Sequence, residues 1–299
     1  MEKAQGLPGG EGLVDLHTHT TASDGTLTPR QLVEYAREKG LAAVAVTDHD
    51  TVSGLGEALA AGEELGLPVA PGVELSSRLE GREIHVVGLF IDPGEPGLLA
   101  LLAEMRRERL RRNRLLLEKL AGLGIPIPPE EVLAAAPGGV LTRTHVAEAM
   151  VRRGAAGSIV EALEEYLSPG GPAWVEKRGP DPARCVSAIH RAGGLAVLAH
   201  LNRICPRDPE RGLRLAGRAL DAGMDGLEVR YATYTPQWEE WAEALCRERG
   251  LLPSGGSDFH GARKKNDLGT GLGNLRVPEG FYAALAEAAR QRRRGGKRD

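Results

Sequence analysis

The stretch Leu13–His19 has the sequence LVDLHTH. Its apolar part predicts a short buried strand. The two histidines that end the stretch are separated by one residue, so both imidazoles leave the same face of an extended chain. Together with the nearby carboxylate of Asp24 they form a pattern typical of metal ligands. A pair of surface histidines beside a turn is the alternative interpretation.

The composition sets the limits of the prediction. A chain of 299 residues can bury a substantial core as one large α/β domain or as two smaller domains. Cys185, Cys205 and Cys246 lie far apart without a CxxC pair, which argues against a disulfide framework and against a thiolate zinc site. No apolar run approaches the roughly 20 residues of a membrane span, and the first residues lack the apolar core of a signal peptide. These features predict a cytoplasmic protein.

The formal net charge of −3 hides an asymmetry between the two ends. Residues 290–299 carry six basic residues and one acid, so the remaining chain has 32 basic against 40 acidic residues, a net charge of −8. We expect this basic tail, residues 290–299, to be a solvated and disordered end. A contact with nucleic acid is the alternative.

Strand and helix alternate in two parts of the chain. Seven strand-like segments occur in residues 13–93 and 181–289, with a further short strand predicted near Leu275–Val277. Between these parts, residues 94–180 show only helical patterns and are bracketed by Gly/Pro clusters. We therefore predict an α/β protein in which a parallel barrel carries a small all-helical insertion at residues 94–180.

Most residues with metal-binding chemistry follow the predicted strands. In a parallel barrel the carboxyl ends of the strands gather on one face, which is where such enzymes build their sites. Chance convergence of so many imidazoles and carboxylates on one face is improbable, so we predict a metal centre there. The candidate ligands are His17, His19, Asp24, His49, Glu74, His85, His200, Asp258 and His260.

These residues carry a family resemblance. The stretches LHTHTTASDG (16–25) and TDHDT (47–51), together with Glu74, His85, Ala199-His200 and SDFH (257–260), resemble the PHP (polymerase and histidinol phosphatase) phosphoesterases. The match spans residues 13–277 and looks closest to a subgroup with a helical insertion. That subgroup includes nucleoside 3′,5′-bisphosphate phosphatases and a related 5′–3′ exoribonuclease. The resemblance implies a distorted seven-stranded (β/α)7 barrel. Leu201 departs from the pattern, because many relatives have proline after the histidine.

The resemblance also implies how the ligands would be shared. His17, His19, Glu74 and Asp258 would hold one metal, Glu74 would bridge to a second held by His85 and His200, and a third would be held by Asp24, His49 and His260. Clustered divalent metals lower the pKa of water and neutralise phosphoryl oxygens, so a hydroxide on the metals would be the attacking group. Imidazole and carboxylate ligands suit Mn, Fe or Zn without selecting among them. Asp48 would orient a ligand, or would serve only as a turn carboxylate.

Two stretches of the insertion are candidates for binding substrate. Arg143 and His145 lie at a helix start after Thr142, where free N–H groups and cationic side chains would form an anion site; a plain capped helix is the alternative. On the first helix of the insertion, Arg106, Arg109 and Asn113 project toward the apolar side. These arginines need anionic partners, either a substrate phosphate or carboxylates of the barrel.

Three functions compete at this point. The resemblance favours a metal-dependent phosphoesterase that removes the 3′-phosphate of nucleoside 3′,5′-bisphosphates or trims short RNA in the 5′–3′ direction. A phosphatase for another small monoester, such as histidinol phosphate, is the second possibility. A non-enzymatic PHP module that stabilises a partner is the third, and the complete ligand set disfavours it. We expect a small nucleotide or short RNA as substrate, with no membrane and no obligate protein partner.

Overall fold

The computed structural model describes residues 12–134 and 140–295. Seven strands form one sheet whose neighbours follow chain order. The sheet curls toward closure, because the Leu16 amide donates to the Gly255 carbonyl at 3.1 Å and the Asp258 amide donates to the His17 carbonyl at 2.9 Å. The strands are β1 Val14–Asp15, β2 Ala43–Val46, β3 Val69–Leu79, β4 Arg82–Leu89, β5 Leu195–Leu198, β6 Gly226–Tyr231 and β7 Leu252–Gly256.

The barrel is not fully parallel, which corrects the sequence prediction. Strand β4 runs antiparallel to both β3 and β5, whereas the other neighbouring pairs are parallel. The tight turn at Glu80–Gly81 explains this, because a two-residue connection can only join antiparallel strands. The strand predicted at Leu275–Val277 is also absent from the described sheet. Instead, the Val277 carbonyl accepts a single hydrogen bond from the Val14 amide at 2.9 Å.

Several helices begin where the sequence provides a capping side chain. Several start with Pro at the first position behind a capping side chain, as at Thr28-Pro29 and Asp181-Pro182. No helix in the described ranges is long and apolar enough to cross a membrane. The helices are α1 Pro29–Glu38, α2 Leu55–Leu65, α3 Pro96–Gly122, α4 Pro129–Ala134, α5 Arg143–Arg152, α6 Ile159–Glu161 continuing as a π-helix over Ala162–Leu167, α7 Pro182–Arg191, α8 Pro209–Leu220, α9 Pro236–Glu248 and α10 Glu279–Gly295.

Helix α3 belongs to both parts of the molecule. Its first half contributes Leu98 and Met105 to the large apolar core of the barrel. Its second half contributes Leu116 and Leu120 to a separate buried cluster, which also contains Met150 of α5. The insertion therefore has a small core of its own, and α3 fixes it over the barrel.

The expectation of a disordered tail at 290–299 is wrong for residues 290–295, which continue α10. Phe281, Leu285 and Ala289 recur at every fourth position and are buried, so the helix is anchored before the basic run begins. Arg292 then pairs with Asp225, and Arg293 Nη1 donates to the Phe90 carbonyl at 2.8 Å. Residues 296–299 lie outside the described residues.

The close approach of β7 to His17 predicts a sensitive position. A Cβ at Gly256 would overlap the Cβ of His17 and lie 2.5 Å from its backbone nitrogen. We expect Gly256→Ala to destabilise the protein by about 1–3 kcal/mol through overpacking. Chemical denaturation measures this change. Gly56→Ala is the matched control, because nothing lies within 4 Å of a Cβ there, and it should be neutral or slightly stabilising. Equal stabilities of the two variants would contradict the prediction.

Candidate metal centre and substrate cleft

The structure brings all nine candidate ligands together on one rim of the barrel. His17 and His19 leave the end of β1 on the same side, and their ring centroids are 5.2 Å apart. His85 reaches this rim from within β4, because the antiparallel direction places the first half of that strand beside the last half of β3. The nine side chains are linked through imidazole–carboxylate contacts of 2.7–3.9 Å.

Glu74 lies at the centre of the cluster and is fully buried. Its Oε2 atom is 2.8 Å from His49 Nδ1 and 3.3 Å from both His17 Nε2 and His19 Nε2. Its Oε1 atom is 2.7 Å from His85 Nδ1 and 2.9 Å from His200 Nε2. One carboxylate therefore faces five imidazoles, which suits a group that bridges metal ions.

The ligand atoms fall into three groups that could each hold a cation. His17, His19, Glu74 and Asp258 form one of them, which is the set implied by the resemblance. The other two differ from the implied sets. His19 joins Asp24, His49 and His260, and His49 takes the place of His200 beside Glu74 and His85.

Unpaired buried atoms show that a cation fits this rim. Within the described ranges, buried polar atoms without a hydrogen-bonding partner cluster here. They include His17 Nε2, both ring nitrogens of His19, Asp24 Oδ1 and Glu74 Oε2. Buried polar groups are otherwise almost always paired, because an unpaired group costs roughly 1–3 kcal/mol. The orphaned atoms are all potential metal donors, and the set of imidazole and carboxylate ligands suits divalent transition metals.

The charges of the buried rim residues also favour a bound cation. Burial lowers the pKa of His85, but Glu74 and Glu83 outweigh it and raise the pKa to about 10. Burial raises the pKa of Glu74, yet His49, His85 and His17 together hold that pKa well below its usual range. Burial likewise lowers the pKa of His17, but Glu74 and Glu228 outweigh it and raise that pKa. Protons on His17 and His85 thus supply positive charge that a metal ion would replace.

Two groups that the sequence analysis missed hold the ligands in place. The fully buried Glu228 accepts from His17 Nδ1 at 2.7 Å and from the His200 amide at 2.6 Å. This contact leaves His17 Nε2 free to face Glu74, so Glu228 orients the imidazole. Tyr231 Oη donates to Asp258 Oδ2 at 2.8 Å in the same way. The position of Glu228 in β6, GLEVRY, was a signal, since a carboxylate inside an apolar strand needs a partner.

Asp48 does not contact a ligand side chain through any of its described hydrogen bonds. Its carboxylate accepts from the Thr20 amide at 2.7 Å, from Thr20 Oγ1 at 2.7 Å and from Ser23 Oγ at 2.6 Å. It therefore fixes the turn that leads to Asp24. This geometry favours the alternative interpretation of Asp48 as a turn carboxylate.

The backbone is strained at two ligands. His200 has φ 29° and Asp258 has φ 53°. Residues other than glycine rarely adopt this left-handed region of backbone conformation. Leu201 follows His200, and its amide donates to Tyr234 Oη at 2.7 Å. A proline at 201 could not make this bond, so the departure at Leu201 is matched by a hydrogen bond that helps to hold the strained turn.

A cleft of about 210 Å³ separates the rim from the insertion. Arg143 lines it, donating from Nη1 to the Leu167 carbonyl at 3.2 Å and lying 5.5 Å from the ring centre of Trp174. His145 is buried, and its Nδ1 accepts from the Thr142 amide at 3.1 Å. Burial lowers the pKa of His145, so the neutral imidazole carries its proton on Nε2, a donor without a partner among the described residues.

The three candidates on α3 have different outcomes. Arg109 lines the cleft and pairs with Asp50, so the barrel carboxylate is its partner. Asn113 Nδ2 donates to the Leu141 carbonyl at 3.1 Å and fixes the loop before α5. Arg106 is exposed and lines a neighbouring cleft with Val52, so the structure does not bring it to the rim. Arginine stems and leucines alternate on the buried face of α3. The sequence pattern alone therefore could not show which of these arginines reaches the metal rim.

Two further cations in the cleft were missed. Arg112 is buried, its Nε donates to the Val175 carbonyl at 3.1 Å, and it lies 5.6 Å from the ring centre of Trp174. Burial and the nearby Arg143 lower the pKa of Arg112 to about 10. Lys177 pairs with Glu83, which also accepts from His85 Nε2 at 2.9 Å. The spacing of Arg112 from Leu116 and Met105 was a signal that it shares their buried face.

A seven-stranded barrel whose rim gathers nine imidazoles and carboxylates under a cationic cleft defines a metal-dependent hydrolase of anionic esters. Comparison with known proteins agrees. The family model for the PHP domain matches residues 15–121. The 5′-3′ exoribonuclease Rnm of Salmonella typhimurium is 38% identical over 253 residues, which is 83% of this chain and 85% of that protein. This chain belongs to the PHP family of metal-dependent phosphoesterases.

Two further relatives cover most of the chain. The 3′,5′-nucleoside bisphosphate phosphatase of Chromobacterium violaceum is 35% identical over 252 residues, 83% of this chain and 87% of that protein. A solved structure of a Bifidobacterium adolescentis protein, described as a metal-dependent phosphoesterase, superposes with a TM-score of 0.83 at 32% identity. That match covers 94% of this chain and 97% of the other. A match over 94% of the chain must include most of residues 94–180, so this solved structure shares both the barrel and the insertion.

The raised pKa of His85 predicts that metal binding releases protons. The imidazole is charged in the metal-free protein near neutral pH and must lose its proton to become a ligand. We expect the affinity of the metal-free protein for Mn²⁺ to rise from about pH 6 to about pH 8, and the number of protons released per ion to be positive. Calorimetry in two buffers of different ionisation enthalpy measures both quantities. An affinity that does not change with pH would contradict the prediction.

Proposed function

We propose that this chain hydrolyses phosphate esters of nucleotides. Its main reaction would remove the 3′-phosphate of nucleoside 3′,5′-bisphosphates, and the same site would trim short RNA from the 5′ end. One observation supports this proposal: two surfaces of different chemistry face each other across one cleft. The rim below is rich in metal ligands, and Arg109, Arg112, Arg143 and Lys177 approach from the other side. The names of the relatives from Salmonella and Chromobacterium support the same substrate class.

We further propose that the rim holds two or three divalent ions of Mn, Fe or Zn. The nine residues already grouped would be their ligands, with Glu74 shared between two of them. When bound, such ions supply a nucleophile from water at neutral pH and neutralise the charge that develops on the phosphoryl oxygens. The protein's part is to place the scissile phosphate against the rim.

The cations of the cleft would do that positioning. Arg143 is anchored at one end of its guanidinium by Leu167 and lies over Trp174, which leaves its remaining donors for an anion. Arg112 lies on the same indole, so Trp174 contacts both guanidinium groups. A second phosphate gripped here orients the first, and its binding energy would be spent on the reacting group. The Nε2 proton of His145, buried at the start of the same helix as Arg143, would be a further donor to substrate.

Selectivity for bisphosphates would follow because the arginines and the metal rim lie on opposite sides of the cleft. A substrate with two phosphates can satisfy the arginines and the rim at once. A simple monoester can satisfy only the rim, and it would leave the buried cation Arg112 without an anionic partner. We therefore propose that the insertion selects substrate and that the barrel performs the chemistry.

Loss of the shared carboxylate tests the role of the rim. Glu74→Gln removes a negative charge that faces five imidazoles, so we expect at least one metal ion to be lost per chain and kcat to fall by roughly 10² or more. Elemental analysis and initial rates measure the two effects. Glu38→Gln, at an exposed position of α1, should change neither. Full activity in a metal-free protein would refute the mechanism.

Loss of Arg143 tests how substrate is selected. A charge-assisted arginine–phosphate contact contributes about 1.5–3 kcal/mol, so Arg143→Met should lower kcat/KM for a nucleoside 3′,5′-bisphosphate roughly 10- to 150-fold. It should barely affect a nucleoside 3′-monophosphate. The matched control is Arg152→Met, which removes a half-exposed arginine of the same helix. Equal losses on both substrates would mean that Arg143 contacts the scissile phosphate or supports the fold.

A further inference from the structure

A second basic cleft lies at the other end of the barrel. Its volume is about 520 Å³, and its lining joins the end of α7 to the end of α10. The residues that line it are His190, Arg191, Gly193, Arg290, Arg292, Arg293 and Arg294. We refer to it as the basal cleft. Five of its seven lining residues are arginines, in a chain that is acidic outside its tail.

The position of the basal cleft follows from strand direction. Gly193 precedes β5, whereas the ligand His200 follows that strand. Arg293 contacts the carbonyl of Phe90, which follows the antiparallel strand β4 and so lies at the same lower end. The four residues of β5 alone span about 13 Å. A ligand of the basal cleft therefore cannot be the small group bound at the metal rim.

Two of the arginines hold α10 against the barrel, and the other three are exposed to solvent. Arg292 pairs with Asp225, and Arg293 donates to Phe90. Arg191, Arg290 and Arg294 are exposed around the opening. In the described ranges, two carboxylates pair with this group: Asp225, which also contacts His190 Nε2 at 2.7 Å, and Glu287, which pairs with Arg290. Cations outnumber acids here, and their mutual repulsion is relieved when a polyanion binds.

Helix stabilisation and membrane attachment are two simpler roles for these arginines. Neither role explains why five arginines surround one concave site. Cations at helix C-termini interact favourably with the helix dipole, but about one charge in the last turn suffices for that. Stable attachment to a membrane surface takes an apolar face or a lipid anchor in addition to a basic patch. The apolar face of α10, formed by Phe281, Leu285 and Ala289, is buried in the barrel core. A flexible anionic chain that enters a concave site fits better.

We propose that the basal cleft binds the sugar–phosphate backbone of RNA, holding the body of a strand whose 5′ end is processed at the rim. The choice of RNA rests on the proposed function. Among the described residues, no Phe, Tyr or Trp side chain lines this cleft, so stacking on such rings would not contribute and binding should be independent of sequence. Affinity should instead come from phosphate contacts and fall with salt. A strand must be several nucleotides long to reach from rim to cleft.

Binding is measured with a probe that cannot enter the active site. A circular, fluorescently labelled single-stranded RNA of about 20 nucleotides has no 5′ end, and fluorescence anisotropy reports its binding to the full-length enzyme. The test variant combines Arg191→Gln, Arg290→Gln and Arg294→Gln, which leaves the helix contacts of Arg292 and Arg293 intact. The control combines Arg37→Gln, Arg107→Gln and Arg214→Gln, three exposed arginines on other faces.

Three lost phosphate contacts set the expected size of the effect. Wild type and control should lose affinity steeply between about 50 mM and 200 mM salt, and the test variant should lose roughly 10- to 20-fold less over that range. Its kcat/KM should fall on a linear RNA of about 20 nucleotides and stay at the wild-type value on a dinucleotide. Absence of dinucleotide cleavage by the wild type would count against the proposed function alone, because the circular probe is not cleaved.

Three results would overturn the basal cleft proposal. The first is equal binding of the circular RNA by the test variant and wild type. The second is an equal loss of activity on the dinucleotide, which would mean that the arginines support the fold. The third is binding of wild type to vesicles rich in phosphatidylserine, lost in the test variant, without binding to RNA; this outcome would assign the cleft to a membrane surface.

Discussion

The buried carboxylate of Glu74 is the group on which the rest of the rim depends. It is fully buried and lies within 3.3 Å of a nitrogen on each of five histidines. A buried carboxylate without compensating charge costs several kcal/mol, so the site is stable only when protons or metal ions neutralise it. Strain at His200 and Asp258 has the same origin, because the backbone adopts costly conformations to aim ligands at one point. The rim is built to hold cations at the expense of stability.

Strand direction decides which residues can reach Glu74. A parallel β4 would place His85 near the lower end of the barrel, whereas the antiparallel β4 pairs His85 with Ser76, two residues beyond Glu74. The same hairpin brings Glu83 beside His85 and beside Lys177 near the end of the insertion. One topological feature thus completes the metal centre and connects it to the substrate cleft.

Charge is distributed so that each end of the barrel attracts anions in a different way. At the rim, arginines of the insertion face carboxylates and imidazoles across a narrow cleft, and Trp174 holds two of these arginines. At the lower end, the basic turns of α7 and α10 meet without an equal number of acids. Because the body of the protein is acidic, an anion is repelled from most of the surface and is favoured at these two places.

Local patterns along the chain were enough to establish the α/β class, the seven strands and the identity of the candidate ligands, because strand periodicity and the HxH spacing are properties of neighbouring residues. They could not establish the direction of β4, since an apolar strand has the same pattern in either direction. Nor could they pair Arg109 with Asp50, because that contact depends on how α3 lies over the barrel.

The basic tail shows most clearly what local patterns cannot predict. Composition predicted disorder, but residues 290–295 are helical because Phe281, Leu285 and Ala289 anchor α10 in the core, and only tertiary structure supplies Asp225 and Phe90 as partners for its arginines.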